Sequence, residues 1–232
     1  GGASSATVFP VIESVEGASN FTYLDSIEVK VTPSKSGNRF IVHPTFKDED
    51  PALMEQVKSS MDAALSMITN EREKLPEALE VQVFFNSKLG VYSGNSFGAL
   101  LAIMLFFEIN KLLKPNILYH IAPSMAFTGA VNVKGEIKPV GKENIIRKVR
   151  SVFFSSVFRF VVSKADEPAA LKFITKLRKK WPLRKLEIIG VNNISEIFNR
   201  RDIVNISRRP IRDRIKEGVK KYRYVSLMLI PV

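Results

Sequence analysis

A serine stands where a glycine-flanked loop runs into a long apolar stretch, in Gly94-Asn95-Ser96-Phe97-Gly98. A hydroxyl at the mouth of a buried helix is well placed to act, because a helix N-terminus carries unpaired N–H groups and positive potential. Backbone amides beside it, those of Asn95 and Ser96, could hold an oxyanion next to the hydroxyl. Serine is also a favoured helix N-cap, so the motif alone equally reads as a helix start. A serine nucleophile needs a base. The chain has two histidines, His43 on an early predicted strand and His120 in a predicted loop, and either reads as a packed or exposed side chain as readily as a base. The other choice is a lysine that is partly desolvated, so that its neutral amine is available near neutral pH. Ile145, Lys148, Val149 and Val152 recur at i, i+3, i+4 and i+7, so Lys148 shares the apolar stripe of a predicted helix. Lys142, in the first turn of that helix, is the competitor. A lysine in such a stripe can also run its stem along apolar surface and lift its head into water.

Composition narrows the alternatives. The 232 residues contain no cysteine, which removes disulfide scaffolds, cysteine nucleophiles and thiolate zinc sites. Two histidines leave little for a metal centre, and no metal or cofactor is expected. No Walker-type loop, dinucleotide fingerprint, His-Glu-x-x-His or calcium loop is present, which argues against a small-molecule kinase on this architecture. The longest apolar run, residues 97–107, is too short to span a bilayer. With no signal-peptide pattern and no cysteine, a cytoplasmic or other reducing compartment is expected. The net charge of +12 lies in one place: residues 172–223 hold 17 Lys/Arg against 5 Asp/Glu, and the remainder balances at 18 of each. Such a surface suits an acidic partner or nucleic acid, or is a solvated basic face.

The elements that must position Ser96 and Lys148 follow from periodicity. Residues 1–5 read as a tag remnant, and 6–26 as a loose lead-in. Residues 27–31 alternate as a strand, 33–38 turn, and 39–43 read as its hairpin partner. Asp48, Glu49 and Asp50 precede Pro51 as helix-start charges, and an amphipathic helix covers 51–70. A strand at 79–83 and a loop at 86–96 lead to a nearly all-apolar helix over 96–113. Strands are expected at 125–128 and 130–133, with a turn at Lys134-Gly135 and a return at Glu136-Ile137. After the break at Pro139-Val140-Gly141 come the Lys148 helix, a strand at 157–162, a helix at 167–179, a strand at 186–189 and a helix at 194–200. Residues 208–221 read as a basic amphipathic helix and 224–230 as a possible last strand.

Ser96 before a buried helix, then Phe127-Thr128-Gly129, then Lys134-Gly135-Glu136-Ile137-Lys138-Pro139-Val140-Gly141, form an ordered series. The series resembles the proteolytic domain of the Lon protease family over residues 27–200, most specifically over 128–141. The resemblance implies an α+β fold of mixed β-sheets packed with helices in one compact domain. Around it lie the lead-in of 1–26 and a basic extension of 201–232. It implies a serine endopeptidase with a Ser96 nucleophile, a lysine base and Thr128 bonded to that lysine. Counting forward from Pro139 puts the family's lysine at Ile146. Counting back from Phe160-Val161-Val162-Ser163-Lys164-Ala165-Asp166 puts it at Lys148, with two residues inserted after Gly141. The family also implies polypeptide substrates, homo-oligomers and ATP used only by a separate ATPase module. Asn95, Phe97, Lys142 and residues 153–156 depart from the family pattern. The alternative is an inactive domain of the same shape, serving assembly or binding an acidic partner or nucleic acid through residues 172–223.

Overall fold

Alternation along the strands sets the central sheet. In β2 (Phe21–Pro33), Ile27, Val29 and Val31 are buried while Glu28 and Lys30 face solvent. In β4 (Leu79–Phe85), Leu79, Val81, Val83 and Phe85 are buried. The antiparallel register sets Ile27 opposite Phe85, Val29 opposite Val83 and Val31 opposite Val81, so the two apolar faces coincide. The computed structural model describes residues 7–13, 21–43, 51–70, 72–86 and 94–210.

The main sheet has seven strands in the order β10-β9-β6-β1-β2-β4-β3. Its other members are β1 (Thr7–Glu13), β3 (Arg39–His43), β6 (Met125–Phe127), β9 (Arg159–Ser163) and β10 (Glu187–Val191). β10, β9, β6 and β1 run parallel; β2 is antiparallel to both β1 and β4; β3 is parallel to β4. Two small antiparallel pairs flank it: β5 (Ile117–Ile121) with β11 (Val204–Arg208), and β7 (Ala130–Val131) with β8 (Ile137–Lys138). The fold is α+β with mixed sheets.

Helices cover both faces. Helices α1 (Pro51–Ser66), α2 (Gly98–Leu113) and α5 (Ile194–Asn199) share one apolar cluster with Ile27, Val83 and Val161. α3 (Lys142–Phe153) and α4 (Glu167–Lys180) share the other with Phe160 and Val162. The period of two along β9 sends neighbouring residues into opposite layers. α2 is buried almost all round because α1, β2, β5, β7 and α5 all pack on it.

Three expectations are corrected. Residues 39–43 form no hairpin with β2, because β4 lies between them. The lead-in before residue 27 is not loose throughout, since it contains β1 and the start of β2. His120 is on a strand, β5, rather than in a loop. Past residue 200, Ile203 and Val204 are fully buried in the first cluster and β11 continues to Arg208. The expected helix start at 48–50 and the residues from 211 onward, including most of the basic helix and the last strand, lie outside the described residues.

Candidate active site

Ser96 lies two residues before α2, and its position is set by main-chain bonds rather than by its own side chain. Phe97, not Ser96, is the N-cap, and α2 has no side-chain cap. The helix-start reading of the serine is therefore overturned, and its hydroxyl is left for other uses. The Gly129 amide donates to Ser96 O at 2.8 Å, and Gly129 O accepts from the Ala99 amide at 2.9 Å. On the other side, the Thr128 amide donates to Val161 O at 3.0 Å. The end of β6 thus ties the serine turn to β9. Gly129 has φ +131°, and a Cβ there would lie 2.6 Å from Ile137 Cγ2, so only glycine suits this junction.

A buried polar brace holds the same turn from behind. Gln56 Nε2 donates to Val131 O at 2.9 Å and to Ser60 Oγ at 3.2 Å, and Gln56 Oε1 accepts from the Val131 amide at 3.2 Å. Ser60 Oγ donates to Gly98 O at 3.0 Å. The brace joins α1 to β7 and to the first turn of α2. Its members, Gln56 and Ser60, were not singled out by sequence reasoning. The available signal was two polar residues, four apart, beside the apolar positions Val57 and Met61.

Lys148 reaches the serine from the other layer. Its Nζ donates to Ser96 Oγ at 3.1 Å. The side chain is only 2% exposed, so it does not lift its head to water. Burial holds its pKa down, from the usual 10.5 to about 8, and the nearby Asp166 carboxylate pulls the other way. Lys142, the competitor, is the first residue of α3 and is exposed. Asp166, itself buried, accepts from the Val140 amide at 2.7 Å and from the Gly141 amide at 3.2 Å. It clamps the Pro-Val-Gly break and so fixes where α3 begins and where Lys148 points.

The remaining expected residues fall as follows. The Gly98 amide is taken by Asn95 O and the Ala99 amide by Gly129 O. The amides of Asn95 and Ser96, the expected oxyanion donors, have no acceptor among the described residues, and neither has that of Phe97. Thr128 is buried at 2% exposure, but its Oγ1 has no hydrogen-bond partner, so the bond to Lys148 implied by the resemblance is not made here. His43 stacks on Phe84 with ring centroids 4.5 Å apart, and His120 is exposed on β5. Among the described residues, no group of three or more His, Asp or Glu could hold a metal ion, and no helix is long and apolar enough to cross a membrane. Chemically, the arrangement offers a hydroxyl with a buried amine of lowered pKa at hydrogen-bond distance, next to main-chain amides that have no acceptor among the described residues. No protein-family model matches the chain, and no curated protein matches it.

Proposed function

We propose that the chain is a Lon-like serine peptidase domain that hydrolyses polypeptides through a Ser96–Lys148 dyad. The observation that carries this reading is the 3.1 Å contact between Lys148 Nζ and Ser96 Oγ, made by a lysine whose pKa burial lowers to about 8. The neutral amine accepts the Ser96 proton across that contact. Ser96 Oγ attacks the peptide carbonyl, and the amides of Asn95 and Ser96 receive the developing oxyanion. Lys148 then returns the proton to the leaving amine. The Lys148 amine then takes a proton from water as the water attacks the acyl-enzyme, and gives it to Ser96 Oγ as the acyl bond breaks and the acid product leaves. By the resemblance, the domain works in a homo-oligomer beside an ATPase module that alone uses ATP.

The experiment is hydrolysis of an unstructured protein substrate by the wild type, Ser96→Ala and Lys148→Met. The expected result is activity in the wild type and none above background in either variant. Unchanged hydrolysis in Ser96→Ala would overturn the proposal. One observation favours a second reading, an inactive domain kept for assembly or for binding an acidic partner: the unbonded Thr128 hydroxyl. No hydrolysis by any of the three proteins is the result expected from that reading.

A further inference from the structure

The sequence placed the excess positive charge late in the chain, and the dyad makes no use of it. From residue 167 to 186 there are seven Lys/Arg and one acidic residue, Glu167. At the end of α4 this charge surrounds large apolar side chains that face water. Leu183 is 95% exposed and Phe158 59%, with Phe154 and Trp181 each 42%. The group is organised. Phe154 and Trp181 meet edge to face with ring centroids 5.0 Å apart, and the Arg184 guanidinium lies over Phe154 at 5.5 Å. Arg184 Nη1 also donates to Phe153 O at 3.0 Å and to Ser155 O at 3.3 Å, which pins the 181–185 turn to the end of α3.

We propose that this end of the molecule, with Leu183 and Trp181 at its tip and Lys179, Lys180 and Lys185 around it, is a docking surface for an anionic lipid bilayer. An aliphatic tip beside a tryptophan, ringed by lysines, matches a bilayer's layers: acyl chain, interface and charged headgroup. Single-stranded nucleic acid fits less well. Leu183 offers no ring to stack on, and Phe154 is already engaged by Trp181 and Arg184. A second copy of the chain fits poorly too, because a two-fold contact would set basic surface against basic surface. The surface lies at the N-terminal ends of β9 and β10, whereas Ser96 is tied to the backbone just past the C-terminal end of the parallel β6. Docking there leaves the serine facing away from the bilayer.

Trp181 is the only tryptophan, so its emission reports on this surface alone. The full chain is titrated with phosphatidylcholine vesicles, with and without phosphatidylglycerol. The expected result is a blue shift of Trp181 and co-sedimentation with the anionic vesicles only. Leu183→Asp, at a position too exposed to affect folding, and Lys179→Glu/Lys180→Glu should each weaken binding by about tenfold or more. Basic residues beyond 210 can bind headgroups by charge alone, so sedimentation is read together with Trp181 emission and Leu183→Asp. Unchanged Trp181 emission with anionic vesicles, or wild-type binding by Leu183→Asp, overturns the proposal. So does an emission change with a single-stranded oligonucleotide or an acidic polypeptide where vesicles give none.

Discussion

The middle of α3 and the surface beyond its C-terminal end use similar residues in opposite ways. Lys148 is buried on the helix stripe that carries Ile145, Val149 and Val152 into one of the two apolar clusters, and its charge is a burden to the fold. Past Phe153 the order is inverted: Phe154, Trp181 and Leu183 face water beside the exposed Lys179 and Lys180. A solvated lysine keeps its proton and attracts anions. A buried one loses much of its hold on the proton and becomes a base. Burial, not residue type, separates the site that could do chemistry from the surface that could only bind.

The sharpest way to break this contrast is substitution at the dyad. Ser96→Ala and Lys148→Met are each expected to lower peptide hydrolysis by roughly a thousandfold or more, whereas Lys179→Met leaves it unchanged. Lys148→Met should also raise thermal stability at neutral pH by about 1–3 kcal/mol, because it removes a desolvated charge and keeps the volume. Thermal melts of Lys148→Met and Lys179→Met side by side check this. Equal effects would erase the difference between the two regions.

Next in size come the groups that hold the serine turn. Gln56→Leu removes partners from the Val131 amide and carbonyl and from Ser60. Denaturant unfolding should show a loss of about 1–3 kcal/mol for leaving these buried polar groups unpaired. Gly129→Ala, which meets both a positive φ and Ile137 Cγ2, should cost a similar amount and lower hydrolysis as Ser96 shifts.

The pH dependence is a finer test. Lys148 titrates near 8 when folded and near 10.5 when unfolded. Between those values the unfolded chain binds a proton that the folded chain does not, so stability rises with pH across the window. Below about pH 8 the full penalty of burying the ammonium remains, on the order of 3 kcal/mol. Hydrolysis should rise with pH through the same group and level off above about pH 8. Asp166→Asn removes the opposing carboxylate and should move this rise toward lower pH. The smallest effect is expected from Lys142→Ala on the exposed first turn, with peptide hydrolysis within about twofold of the wild type.

How legible each part was follows from the range of the forces behind it. The Lys148 helix was readable because one helical period held Ile145, Val149 and Val152, and a lysine on that stripe stood out. The 3.1 Å approach to Ser96 was not readable from spacing, since the two residues are 52 apart and sit in different layers. β1 escaped notice because Pro10 interrupts it. Proline is tolerated there because β1 pairs with β6 at Val8 alone, so beyond that point one side of β1 is free of the parallel ladder. The turn at 33–38 suggested a hairpin, but strand pairing is decided at long range, and β4 presents the better matched apolar face to β2. Asp166 looked like the end of a motif. Its role as the clamp on Val140 and Gly141 appears only when chain segments some 25 residues apart meet.

The measurement that bears most directly on the Ser96–Lys148 dyad is labelling by a serine-directed fluorophosphonate, followed by mass across pH. The account predicts one adduct, on Ser96, forming at a rate that rises with a group titrating near pH 8 and nearly absent in Lys148→Met. Labelling of Ser96 at the same rate in Lys148→Met, or no labelling of Ser96 at any pH, would contradict it.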